Sequence, residues 1–504
     1  MKKFDIVKVG IIVFLIGIGF FTRFFPSSEP TKSTVFDESY FVPQVESYAV
    51  RQYFFDPHPH LGRLFMYYGM KIYNPDASTK LDASKLGNKV ENYKTPLDLN
   101  GIRFFPKLFG SFLPLIVFLI SFELINWKKK EDNYFVPLLV SMLTVFESIF
   151  IVESRYALIT PFLLFFMSLT ILFSLKFYKE ENRKLSIIYL ILSFVALGLS
   201  FSTKWFSLSL VPFLLLLICI KQVKKEAKVG GKTKDIFFRY ISRVALKVFV
   251  GVVMVLSIYF SVFAWHFAHI QTYTKNADEI ADYCPSYLED LKAGTNKSEF
   301  FCKLYSQFQL SLKYQKYVPE LDFTKEDEIG SKWITWPIMA RTISYYWQTD
   351  GKGEYAFVYL IGNPVNWVLG LIGVIILSAK VITDYFESKK IRFVYLLLLL
   401  LYFANWIPYA FISRVMYLYH YIPALLISYL IFGVVLNDII FKKIENDVRR
   451  SIVVISIIFI STILLSLIGY FFMYHFTYLL PISKEGFETR YLIKDWDMKW
   501  PGKD

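Results

Sequence analysis

Apolar runs long enough to cross a bilayer recur along this chain, and they restrict its possible folds more than any other feature. A helix needs roughly 20 residues to traverse ~30 Å of hydrocarbon. Runs near 5–25, 103–126, 134–152, 156–178, 185–203, 205–220, 247–268, 361–379, 393–412, 415–436 and 451–474 approach or exceed that length. The runs at 185–203 and 205–220 meet at Thr203-Lys204 and are the least clearly separated pair. Phe 51 and Tyr 35 supply the aromatic content of lipid-facing surfaces and interfacial belts. The expectation is an all-α polytopic membrane protein of about eleven spans.

The net charge of +14 is distributed in a way that orients these spans. Lys128-Lys129-Lys130 follows the second run, and Lys176, Lys179, Arg183 and Lys184 surround the end of the fourth. Lys221, Lys224, Lys225, Lys228, Lys232, Lys234, Arg239, Arg243 and Lys247 crowd one connection, opposed only by Glu226 and Asp235. Lys389, Lys390 and Arg392 precede the ninth run, and Lys442, Lys443, Arg449 and Arg450 precede the eleventh. A cytoplasmic N-terminus puts every cluster on the cytoplasmic side, as the positive-inside bias requires. Short basic connections beside spans argue against nucleic-acid binding. The first run ends in bulky Phe24-Phe25 and reads as a retained anchor rather than a cleaved signal. The chain is therefore expected in the cell (inner) membrane, with segments 27–102, 269–360 and 475–504 outside. The connection 221–246 reads as a solvated basic loop. Cys284 and Cys302 share an outer segment, where they form a disulfide or stay as two buried thiols; Cys219 lies in a span.

Charged residues inside the runs are few; Glu123, Glu147 and Asp384 lie towards ends or connections. The chemistry-bearing residues gather instead in the first outer segment. Phe36-Asp37-Glu38-Ser39-Tyr40 places two adjacent acids near a membrane surface, where a carboxylate can serve as general base or cap a helix over 38–52. Phe54-Phe55-Asp56-Pro57-His58-Pro59-His60-Leu61-Gly62-Arg63 follows, a stiff turn whose His58, His60 and Arg63 suit phosphate binding or proton transfer. The two histidines have poor spacing for zinc. Arg155, Lys204 and Arg414 all fall at outer span ends, where a lone cation is also explained by snorkelling.

The stretch from Phe36 to Gly69 resembles the protein O-mannosyltransferase family, whose first extracytoplasmic loop carries an Asp-Glu pair followed by a His-Pro-Pro-Leu-Gly-Lys segment. Glu153-Ser154-Arg155, Ser202-Thr203-Lys204-Trp205, Gly362-Asn363-Pro364 with Trp367, and Arg414…Tyr419-His420-Tyr421-Ile422-Pro423 resemble further family segments, in the same order. His60 and Arg63 depart from the pattern, and Thr160 stands where many members carry an Asp. Segment 269–360 is too short for a luminal β-trefoil insert, so the chain resembles a minimal form. Within it, 299–317 reads as an amphipathic helix.

The resemblance implies a GT-C fold and an enzyme that moves mannose, or a related sugar, from a polyprenyl-phosphate donor to Ser/Thr hydroxyls of an acceptor protein, with inversion. It implies Asp37 as general base with Glu38 in support, and Arg155, Arg414, Lys204 and Arg63 as cations for the donor phosphate. His58, Asn363, Tyr419, His420 and Tyr421 would line the donor or acceptor pocket; Asn363 also reads as a helix-start residue. No cofactor is expected, no metal ligands are assigned, and a divalent-metal requirement stays open. Rival readings are a GT-C enzyme acting on a lipid or cell-wall glycan, a transporter or flippase, and a non-catalytic assembly partner.

Overall fold

The computed structural model describes residues 6–87, 89–90, 93–126, 133–325, 328–349, 351, 353–441 and 448–501. The clusters Lys128-Lys129-Lys130 and Lys442-Lys443 lie outside these residues, as do the side chains of Arg449 and Arg450.

Ten helices among the described residues are long and apolar enough to span, and a bent pair makes an eleventh. They start with α1 (Ile6–Phe24). Two short helices of the first long segment follow, α2 (Glu38–Ala49) and α3 (Leu61–Tyr73). The second span is α4 (Leu99–Ile125), and the third is the pair α5 (Phe135–Val145) and α6 (Ser148–Arg155). Next come α7 (Thr160–Lys179), α8 (Arg183–Phe201), α9 (Val211–Val229) and α10 (Thr233–His269). The second long segment holds α11 (Pro285–Ala293), α12 (Phe300–Tyr317), β1 (Ile343–Thr349) and β2 (Tyr355–Leu360). The last four spans contain α13 (Pro364–Phe386), α14 (Phe393–Ala404), α15 (Ile422–Val435) and α16 (Val448–Thr477), before β3 (Pro481–Ile482).

Each expected apolar run thus contains a helix, but two connections differ from expectation. The third span bends by 55° between α5 and α6. The backbone leaves the helix at Glu147, whose carboxylate accepts from Ile149 N, from Asn363 N at 2.7 Å and from the Tyr429 hydroxyl. A buried acid at the bend therefore satisfies groups that the broken helix frees. The segment 221–246 is not a loop. α9 and α10 continue through it and turn at Gly230-Gly231, both at positive φ. Lys, Glu and Arg are good helix formers, and Glu226 on α9 accepts Arg239 and Arg243 from α10 at 3.1 and 2.6 Å. At 1.5 Å per residue, the 37 residues of α10 run ~55 Å, well beyond the ~30 Å hydrocarbon layer.

α15 is buried at all of its positions and forms the middle of the bundle, against α13, α14, α5 and α4. α10 is its most exposed span. At the end of the bundle opposite the basic connections, β1, β2 and β3 form an antiparallel sheet in that order. The tail is tied beneath it, with Arg341 N and Thr342 N donating to Asp495 O and Trp496 O. Cys284 and Cys302 are joined in a disulfide, Cα atoms 5.6 Å apart, linking α11 to the start of α12.

Candidate active site

Four segments at this loop end converge: the first long segment, the links 156–159 and 202–204, and the link 412–417. The start of α2 sets the first group. Phe36 holds φ at +51, a conformation that costs a β-carbon-bearing residue about 1 kcal/mol. Packing holds it there, because its ring stacks on Tyr345 of β1 at 4.1 Å and meets Tyr419 edge-on at 6.4 Å. Asp37 follows at the helix N-cap, yet its side chain caps nothing. Among the described residues the half-buried Asp37 carboxylate has no hydrogen bond and no ion pair. Burial pushes it up to about 7; the charge of Glu153 adds to the shift and Lys204 opposes it.

Two cations at this end, Lys204 facing Asp37 and Arg414 facing Lys204, have no carboxylate partner among the described residues. Lys204 leaves α8 in extended conformation and lies 5.3 Å over the Tyr419 ring. Burial lowers its affinity for a proton, and Glu153 and Asp37 counter that. Arg414 donates only to the carbonyl of its neighbour Val415, at 3.1 Å. Its backbone is fixed by a bridge to Glu320 and by Val415 N donating to Pro319 O at 2.8 Å. The His58 imidazole faces Asp56, Lys204, Arg63 and Arg414, and burial drives it down to about 3, so it is neutral. Tyr419 and His420 lie in the same field, with Lys204 and Arg414 acting on His420. Beside Pro57 and Trp205 an apolar recess of about 370 Å³ opens between α10 and α12, lined also by Tyr259, Phe263, Leu304 and Phe308.

The other residues expected at the site are placed elsewhere or otherwise engaged. Glu38 is fully buried, bridged to Arg103 Nε and Nη2 at 2.7 and 2.6 Å, and accepts Val35 N and Ala157 N. With both oxygens taken, it holds α2 against α4 and the 156–159 link and is not free to orient an acceptor. Arg63 is buried as well, paired with Asp56 at 2.5 Å and bonded to Gln44 Oε1 and the carbonyls of His58 and Pro59. It clamps the proline turn and does not reach out for a phosphate. Burial would raise Asp56, but Arg63 and His58 outweigh it and keep the carboxyl low.

Arg155 is engaged as well. It pairs with Glu29 at 3.0 Å, donates to the carbonyls of Arg23, Phe25 and Pro26, and lies over Tyr478. Lys107 completes that buried set through Glu29 at 2.8 Å. Asn363 is the N-cap of α13, accepting Val365 N and Asn366 N and donating to Phe146 O and Ser466 O. Tyr421 is buried against Trp367, its hydroxyl on that of Tyr402 at 2.8 Å. Both hold the bundle together. For Glu38 and Arg155 the ion-pair partners lie 65 or more residues away, so sequence spacing did not reveal them; the cap at Asn363 is local and was legible.

Glu153 and Tyr345 belong to the site and carried no assignment from the sequence. Glu153 sits beside the Ser-Arg pair, one signal that was available. Tyr345 lies on a hairpin strand, and the aromatic runs flanking Asp350-Gly351 are a turn signal for that hairpin.

Comparison with known proteins bears on the family and the fold. The family model "Dolichyl-phosphate-mannose-protein mannosyltransferase" matches residues 13–271, and a model of the C-terminal four-helix region of protein-O-mannosyltransferase matches residues 308–496. The chain belongs to this protein mannosyltransferase family. The relatives it matches include protein O-mannosyl-transferase 2 of Danio rerio, 27% identical over 52% of this chain and 33% of the relative. Another is dolichyl-phosphate-mannose–protein mannosyltransferase 4 of Schizosaccharomyces pombe, 31% identical over 37% of this chain and 22% of that one. The match thus spans a third or less of these relatives' length. A solved chain of the S. cerevisiae protein O-mannosyltransferase Pmt1-Pmt2 complex bound to the sugar donor superposes with TM-score 0.81 at 15% identity, covering 99% of this chain and 93% of that one. An oligosaccharyltransferase of Archaeoglobus fulgidus superposes with TM-score 0.51 at 12% identity, over 98% and 59%. The described residues of this family member therefore have the GT-C membrane fold, and they include a three-stranded sheet at one end of the bundle.

Proposed function

We propose that this chain transfers mannose, or a closely related sugar, from a polyprenyl-phosphate donor to Ser or Thr hydroxyls of an acceptor protein, at the extracytoplasmic face. One observation carries the reading: an acid and two cations, Asp37, Lys204 and Arg414, meet at one end of the bundle without committed partners among the described residues. The surrounding Glu38, Asp56, Arg63, Arg103 and Arg155 are all committed to structure. Membership of the mannosyltransferase family supports the donor class.

In the reaction, Asp37 takes the proton of the acceptor hydroxyl as its oxygen attacks the anomeric carbon. The bond from that carbon to the phosphate oxygen breaks on the opposite side, which inverts the anomeric centre. The polyprenyl phosphate leaves with the electron pair, and Lys204 and Arg414 stabilise its added charge. Neutral His58 can accept or donate a hydrogen bond at the same place. The apolar recess beside Pro57 and Trp205 accommodates the first isoprenoid units.

A base with a raised proton affinity works only above it, so kcat/KM rises with pH through about 7. The test incubates the purified chain with labelled polyprenyl-phosphate mannose and a Ser/Thr-rich peptide. Asp37→Asn lowers transfer by ~10²–10⁴-fold with the fold retained. Transfer by Asp37→Asn at the wild-type rate sinks the reading, and transfer to lipid or glycan acceptors alone replaces the acceptor class.

A further inference from the structure

Glu153 ends the bent third span, and the donor chemistry above does not use it. It is 2% exposed and its Oε1 accepts the Tyr345 hydroxyl at 2.5 Å. Thr160 also bonds to this carboxylate, and two hydroxyl partners with no ion pair among the described residues leave a buried carboxylate short of the interactions that normally hold a charge out of water. Its remaining neighbours form an unbroken chain around the active acid. Tyr345 stacks on Phe36, the residue before Asp37; Phe36 meets Tyr419; and Lys204 lies over the Tyr419 ring. Glu153 and Asp37 are also the two acids that act most strongly on Lys204, in that order. The arrangement is two carboxylates facing one ammonium.

We propose that Glu153 is a positioning residue of this site: clamped by Tyr345, it shares the Lys204 ammonium with Asp37 and keeps the Asp37 carboxylate from settling into an ion pair of its own. An Asp37 locked onto Lys204 is a poorer base and takes one of the two cations from the phosphate. A second acid divides the pull of Lys204, so Asp37 stays free and Lys204 stays charged. The proposal rests on the reading of Asp37 as the base. Four charged groups face Asp37: Glu153 from α6, Lys204 from the 202–204 link, and Asp56 and Lys89 from the first long segment. The phenols around it, Tyr40, Tyr314, Tyr345, Tyr417 and Tyr419, belong to a class that ordinarily titrates near ~10.

The test reads the protonation of Asp37 without donor or acceptor. The purified full-length chain in detergent is treated with a hydrophobic carbodiimide from about pH 5 to about pH 9, and the Asp37 adduct is quantified by mass spectrometry. In the wild type the labelling midpoint lies at about 7. Glu153→Gln, which keeps an oxygen for Tyr345 and removes the charge, lowers the midpoint by roughly 1 unit. Glu153→Asp restores it towards the wild-type value. Tyr345→Phe keeps the ring stack, removes one of the two hydroxyls that stabilise the Glu153 charge and so moves the midpoint in the same direction as Glu153→Gln, which covers a Glu153→Gln variant that fails to fold. An unmoved midpoint in the folded variants overturns the proposal. The mannosyltransferase reading fails by a separate result, undiminished transfer by Asp37→Asn.

Discussion

Arg155 and Arg414 both occupy ends of membrane helices at the same face, and their surroundings give them opposite roles. Arg155 is enclosed by Glu29, three backbone carbonyls and the Tyr478 ring. Arg414 has one carbonyl and a fixed backbone. Removing a buried guanidinium strands its partners, at about 3 kcal/mol. Arg155→Ala is therefore expected to lower stability in a detergent unfolding assay by that order, with the donor KM of the surviving protein unchanged. Arg414→Ala is expected to leave stability within ~0.5 kcal/mol and raise the donor KM at least ~10-fold, the loss of one charge-assisted bond to phosphate. The reverse pattern would return Arg155 to the donor site. The same logic separates Asp37 from Glu38. The two acids are neighbours in sequence, but the turn at Phe36 and the start of α2 send one into Arg103 and leave the other unpaired.

At the scale of elements, the second long segment brings the site its strand and its wall. β1 carries Tyr345, and α12 lines the recess with Leu304 and Phe308. The start of α12 is joined to α11 through Cys284 and Cys302, 18 residues apart. Closing a loop of that size restricts the unfolded chain by an amount worth ~3 kcal/mol. Cys302→Ser is expected to make α11–α12 the first site of limited proteolysis in the otherwise folded protein, and equal protease resistance in both forms would show that packing alone secures it. The amphipathic helix over 299–317 was legible in sequence, since its apolar residues recur at helical spacing. The hairpin was not weighed, although Asp350-Gly351 between two aromatic runs is its local signature. The basic hairpin of α9 and α10 was misread for a physical reason. High charge suggests solvated coil, yet Lys, Arg and Glu favour helix, and Glu226 gives that hairpin an internal ion-pair anchor.

For the whole molecule the open quantity is orientation, which the charge asymmetry predicts. In a Cys219→Ser background, a cysteine placed at Lys225 is expected to react with a membrane-impermeant maleimide only from the cytoplasmic side, and one at Lys316 only from the other. Labelling of both from one side would contradict an odd number of spans between them. The end of the bundle carrying Asp37, Lys204 and Arg414 is the end that bears Lys316 and the sheet, so the same experiment fixes the face on which the proposed transfer takes place.

The sequence by itself determined how many membrane-spanning segments there are and roughly where they lie, because a run of apolar side chains has one stable solution in hydrocarbon; the bend in the third and the extension of α9 and α10 beyond their apolar runs it did not. It also placed Asp37, Lys204 and Arg414 at one end of those helices, because the positive-inside bias and span count fix which links share a face. Which charges remain available there was decided only by tertiary structure. Whether an acid or a guanidinium is free depends on partners up to hundreds of residues away, such as Arg103 for Glu38, Glu29 for Arg155 and Tyr345 for Glu153. No local pattern encodes those distances; the packing of the bundle does.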